Sequence, residues 1–167
     1  MYLTIPQGWV QEDISSPTDD SQGTYALLMA PPGYGSGTTE IRIGRSPDAS
    51  EPYPAGTTAE RVVRRDDDAQ VRSAPANGAV FSCSVDGDSA AYLPVTLDSP
   101  RVGPTSGYWV IWLHDGYVFA LDLEATNGPG PQAIEDAKKV LGSVMWTPGA
   151  TPVALACGCH LAYSDFD

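Results

Sequence analysis

The stretch YWVIWLHDGYVFALDL, residues 108–123, decides the reading of the fold. Two runs of β-forming residues, 108–113 and 117–123, flank a short Asp115-Gly116 connection, the pattern of a β-hairpin. Both runs are almost continuously apolar. A strand with one wet face alternates, so these two are expected to be central and covered on both faces. His114 falls at the turn. A catalytic histidine needs a partner nucleophile or acid, and no motif supplies one, so His114 reads as a turn residue.

Upstream, residues 81–85 and 92–97 read as two more strands around an Asp86-Gly87 turn. Phe81, Cys83 and Val85 are expected to face inward, as are Leu93, Val95 and Leu97. Cys83 then reads as a small buried hydrophobe. Residues 24–30 and 40–44 add strands, the second with Ile41 and Ile43 on one face. Residues 2–5 and 143–146 are expected as short end strands, with Trp9 and Val10 returning to the core.

Two helices punctuate the strands. Thr57 and Glu60 have capping-box spacing, which predicts a short helix ending near Arg65 with Ala59, Val62 and Val63 inward. The run Asp66-Asp67-Asp68 suits the C-terminal end of a helix dipole badly and reads as a solvated run rather than a cation site. Pro131 suits a first helical turn, and Ile134, Ala137, Val140 and Leu141 share one helical face up to Gly142. Strands and helices together predict an α+β fold, an antiparallel sheet flanked by helices.

Composition bounds the function. The 167 residues suit one domain with a tail, and 42% hydrophobic residues with four Trp suffice for a core. A net charge of −12 and a pI near 4.3 argue against nucleic acid and anionic membrane surfaces as partners. Residues 1–6 lack signal-peptide character, and three cysteines, an odd number, suggest no disulfide framework. The expectation is a cytoplasmic protein in a reducing compartment. No nucleophile–base pair or phosphate-binding loop is legible, so no enzymatic activity and no cofactor are expected.

The early Ile5-Pro6-Gln7-Gly8-Trp9, the capped mid-chain helix, and the ending from Tyr117-Val-Phe-Ala-Leu to Val140-Leu-Gly-Ser143-Val together resemble PsbP-like domains and the actinobacterial LpqN-like ones. The resemblance spans about residues 2–146. It implies an α/β/α sandwich used as a binding or adaptor module, with no catalytic residues to carry over. LpqN-like proteins are usually exported lipoproteins.

Residues 147–167, TPGATPVALACGCHLAYSDFD, differ from what precedes them. All nine Lys and Arg lie upstream, while two of the three cysteines lie here. Four readings compete. The segment could drape on the domain through Val153, Leu155, Leu161, Tyr163 and Phe166. Cys157, Cys159 and His160 could bind Zn²⁺ or Cu⁺, with Cys83 or His114 completing the set. Cys157 and Cys159 could form a strained disulfide. The reading placed first is a modified segment: Thr147 and Thr151 lose water, and the thiolates of Cys157 and Cys159 add to the resulting alkenes as thioethers. That arrangement resembles the core of a lanthipeptide-type (kintamdin-like) precursor, with residues 1–146 as a folded leader and 147–167 as a flexible core. The implied partners are modifying enzymes of the dehydratase, lyase and cyclase type, and a leader-removing protease.

Overall fold

The computed structural model describes residues 1–12, 24–32, 37–45, 52–64, 80–99, 103–146 and 158–162. Seven strands form one antiparallel sheet: β1 (Val10–Glu12), β2 (Thr24–Met29), β3 (Thr39–Arg45), β4 (Phe81–Val85), β5 (Asp88–Ser99), β6 (Gly103–His114) and β7 (Tyr117–Ala125). Two helices complete the described chain, α1 (Ala59–Val63) and α2 (Pro131–Gly142). The class is mixed α+β. Strand order is β1-β2-β3-β7-β6-β5-β4, so two antiparallel meanders, β1-β2-β3 and β4-β5-β6-β7, lie side by side. The β3–β7 pairing closes the sheet, with Ile41 opposite Leu123 and Ile43 opposite Leu121.

The expectation for the 108–123 hairpin holds in detail. Asp115 and Gly116 both have positive φ, 50° and 80°, as a two-residue turn of this handedness requires. Tyr108, Val110 and Trp112 of β6, with Leu121 and Leu123 of β7, enter one apolar cluster. Their neighbours Ile111, Leu113, Val118 and Ala120 enter a second. Period-two alternation therefore delivers apolar side chains to both faces, which is why neither run alternates with polar residues.

The helices join different clusters. Ala133, Ile134, Ala137, Val140 and Leu141 of α2 pack into the first; Ala59, Val62 and Val63 of α1 pack into the second. Asp136, 2% exposed, faces inward from α2. It accepts from Trp9 Nε1 at 3.0 Å, Gln132 Nε2 at 3.1 Å and Lys139 Nζ at 2.7 Å. Three donors offset the cost of burying this carboxylate and tie the N-terminal stretch to the helix.

Several local expectations are corrected. The cap of α1 is Thr58, in extended conformation, whose side chain accepts from Arg61 N at 3.3 Å. Thr57 lies one residue too early, and Glu60 turns instead to Ser82 and Arg64. The end strands shrink to one bridge between Tyr2 and Met145. Val10 is 61% exposed because β1 is a sheet edge, and Phe81 is 43% exposed because β4 is the other. Helix α2 runs through Gly142 and is capped by Ser143. Arg65 and the Asp66-Asp67-Asp68 run lie outside the described residues.

Candidate functional site

Residues 158–162, expected to be a flexible part of the chain, lie instead across the first apolar cluster. Cys159 and Leu161 are 4% and 2% exposed and belong to that cluster with Val85, Ala90, Tyr92 and Tyr108. Gly158 and His160 are exposed. Alternation of this kind is the signature of an extended segment laid on an apolar floor.

Four hydrogen bonds hold the segment, and all use its main chain. Gly158 N donates to Ser84 O on the edge strand β4 at 3.0 Å. Tyr92 Oη on β5 donates to His160 O at 3.0 Å. Tyr108 Oη on β6 donates to Ala162 O at 2.6 Å and accepts from Ala162 N at 3.0 Å, using both capacities of a phenol hydroxyl. The contacts fall on residues 158, 160 and 162, while the side chains of 159 and 161 point to the floor. Successive strands β4, β5 and β6 each contribute one partner residue, so the segment crosses the sheet rather than extending it.

A disulfide joins Cys159 to Cys83, with Cα atoms 4.9 Å apart and a sequence separation of 76. This corrects the reading of Cys83 as a simple buried hydrophobe, and the expectation that three cysteines form no disulfide. Cys83 faces the first cluster from β4, opposite Ala90 of β5.

The relative sizes of these effects matter. Ordering five residues costs about 7.5 kcal/mol at roughly 1.5 each. Four hydrogen bonds at about 1 kcal/mol net, with Leu161 burial at about 2, return nearly the same amount. The non-covalent terms therefore come close to balance, and the cystine decides whether the segment stays down.

Among the other residues singled out in the sequence, Thr147, Thr151 and Cys157 lie outside the described residues, as do Val153, Leu155, Tyr163, Ser164, Phe166 and Asp167. Of the expected modified set, Cys159 alone is described, and its sulfur is bonded to Cys83. Among the described residues, no group of three or more His, Cys, Asp and Glu is placed to hold a metal ion.

His114, at the end of β6, is part of a second polar cluster. Its Nδ1 lies 2.8 Å from Asp88 Oδ2, and its ring stacks on Trp146 with centroids 3.6 Å apart. Trp146 Nε1 donates to the same Asp88 oxygen at 3.2 Å. One carboxylate oxygen thus gathers β5, β6 and the stretch after α2. A third polar group lies on β3 and β7, where Glu40 and Glu124 are opposite each other, 1% and 3% exposed. Arg42 pairs with both carboxylates. Burial lowers the Arg42 pKa, but Glu124, Glu40 and Asp122 outweigh it and raise the value above the ordinary one. That guanidinium lies against both buried carboxyl groups.

Sequence reasoning missed Cys83 as partner of Cys159, and missed Ser84, Tyr92 and Tyr108 as the groove. No sequence signal pointed to Cys83, since an odd number of cysteines argues against a framework, and none pointed to the tyrosines. No protein-family model matches the chain, and no curated protein is significantly similar to it in sequence. Fold and site define an α+β domain that holds a C-terminal segment of its own chain through a cystine and main-chain contacts. No helix among the described residues is long and apolar enough to cross a membrane.

Proposed function

We propose that the chain is a non-catalytic binding module of the PsbP-like and LpqN-like kind, acting in an oxidising compartment with its C-terminal segment docked. The observation that carries this reading is the Cys83–Cys159 cystine, which fastens the segment over Tyr92 and Tyr108. Disulfides persist where the surroundings do not reduce them, so the cystine favours export over the cytoplasm. The packing of α1 and α2 into different clusters supports an α/β/α sandwich of the type the resemblance implies.

A second reading is kept because the groove grips the main chain of residues 158–162 and leaves their identity largely to two inward side chains. Such a grip suits a folded leader that presents a core peptide for modification. Thr147 and Thr151 would then be dehydrated, and Cys157 and Cys159, the latter after reduction, would close thioethers. Modifying enzymes of the dehydratase, lyase and cyclase type would be the partners, followed by a leader-removing protease.

Intact mass of the full chain from its native producer separates the two. One cystine removes two hydrogens, about 2 Da, and is restored by a dithiol reductant. Each dehydration removes about 18 Da, and no reductant restores it once a thioether has consumed the thiol. A reversible loss of about 2 Da, with Cys157 the sole alkylatable thiol before reduction, is the expected result. Loss of one or more waters would replace the binding-module reading with the precursor reading.

A further inference from the structure

The segment 158–162 occupies its groove as a separate peptide would. Its hydrogen bonds to Ser84, Tyr92 and Tyr108 read main-chain atoms at every second residue, and Cys159 and Leu161 are the side chains taken into the floor. Recognition by main chain plus alternate side-chain pockets does not depend on the peptide belonging to the same chain. The floor also lies beside β4, an edge strand, so a peptide can approach Cys83 without parting two paired strands. Phe81 on that strand stacks on Tyr92 at 5.1 Å and is 43% exposed, which places an aromatic surface at the groove's outer end.

We propose that this groove is an acceptor site for an extended, cysteine-bearing peptide supplied in trans, with a branched apolar residue two positions after the cysteine. The chain's own residues 158–162 are the resident occupant that such a peptide displaces. The proposal rests on the binding-module reading and adds the ligand class. Exchange proceeds by attack of the incoming thiolate on Sγ of Cys83, the less buried residue of the pair, since Cys159 is buried and Cys83 is half-buried. The Cys83–Cys159 bond breaks as the peptide–Cys83 bond forms. The electron pair leaves on Cys159, which takes up a proton from water, so no outside oxidant or reductant is consumed. Loss of the cystine lets residues 158–162 leave, and the incoming main chain takes over the contacts with Ser84, Tyr92 and Tyr108.

The test uses the full oxidised chain carrying Cys157→Ser, so that no competing thiol is present. The probe is acetyl-Gly-Cys-His-Leu-Ala-amide, matching residues 158–162, compared with the same peptide bearing aspartate for leucine and with glutathione at equal thiol concentration. The expected result is a mixed disulfide mapped by mass to Cys83, formed roughly tenfold or more faster with the matching peptide than with either control. One alkylatable Cys159 should appear per peptide captured. Equal rates for the three thiols, attachment at Cys159, no adduct, or a disulfide-linked dimer in place of the adduct would overturn the proposal. An oxidised chain that exchanges indiscriminately sinks this inference alone. A chain without the Cys83–Cys159 cystine sinks the binding-module reading with it.

Discussion

Tyr108 is fully buried, yet its hydroxyl serves both the N–H and the carbonyl of Ala162. Tyr108→Phe keeps the ring in the core and removes those two contacts. The expected loss is about 1–2 kcal/mol in denaturant unfolding, since two net hydrogen bonds vanish and the main-chain groups of Ala162 can turn to water. Amide exchange at Ala162 should accelerate while exchange in β6 and β7 stays slow. Uniform acceleration across the sheet would show that the hydroxyl supports the core rather than the segment. Cys159 illustrates the same scale from the other side. A residue read as a thiol free to close a thioether is joined instead to Cys83, its neighbour in space.

At the scale of elements, the two tight turns offer a controlled comparison. Gly87 and Gly116 both sit at positive φ, 82° and 80°. A Cβ on Gly87 meets nothing within 4 Å, whereas one on Gly116 falls 2.9 Å from Pro52 Cβ and from Tyr53 O. Gly87→Ala should cost about 1 kcal/mol from backbone strain alone. Gly116→Ala should cost more, about 2–3 kcal/mol, because the 52–53 stretch must also move and its Tyr53 N to Gly116 O bond is disturbed. Equal losses in thermal unfolding would mean that the stretch yields freely. Helix α1 gives a pH test. Ser82 first, then Arg64, hold the Glu60 carboxyl below its ordinary value of 4.5. Its folded value is lowered, so the contribution is present above that value and is lost as pH falls through the lower one. The stability gap between wild type and Glu60→Gln should be open near neutral pH and should close below about 4.5. A gap that persists in acid would assign the effect to packing.

For the whole molecule, the cystine closes a loop of 76 residues running from the edge strand through β5, β6, β7 and α2 to the C-terminal segment. Chain-entropy arguments put its worth at roughly 4 kcal/mol, and measured cases cluster at about 2–4. Cys83→Ser should therefore lower stability by about 2–4 kcal/mol under oxidising conditions and by much less once wild type is reduced. Its m-value should fall if residues 158–162 are already detached in the native state, since less surface is then left to expose. An unchanged stability in the oxidised protein would mean that the two sulfurs are not joined in solution.

The 108–123 hairpin, the faces of β3 and of β5 at Leu93 and Val95 (the side chain of Leu97 lies outside those described), and the inward faces of α1 and α2 were legible in the sequence. Each rests on a local period or a two-residue turn, and local rules act over the few residues that display them. Composition likewise sets the net charge of −12, because charge sums over the chain whatever its fold. The strand order β1-β2-β3-β7-β6-β5-β4 was not legible, since the β3–β7 pairing that joins the two meanders is long-range and no local pattern encodes it. Nor was the cap of α1, where one residue of register separates Thr57 from Thr58. The segment 158–162 is the sharpest case. Its chain chemistry offers two thiols and a histidine, open to metal, redox or thioether use. Tertiary structure brings Cys83 to Cys159 across 76 residues and sets two tyrosine hydroxyls over the main chain, contacts that no local pattern encodes because they depend on distance in space alone.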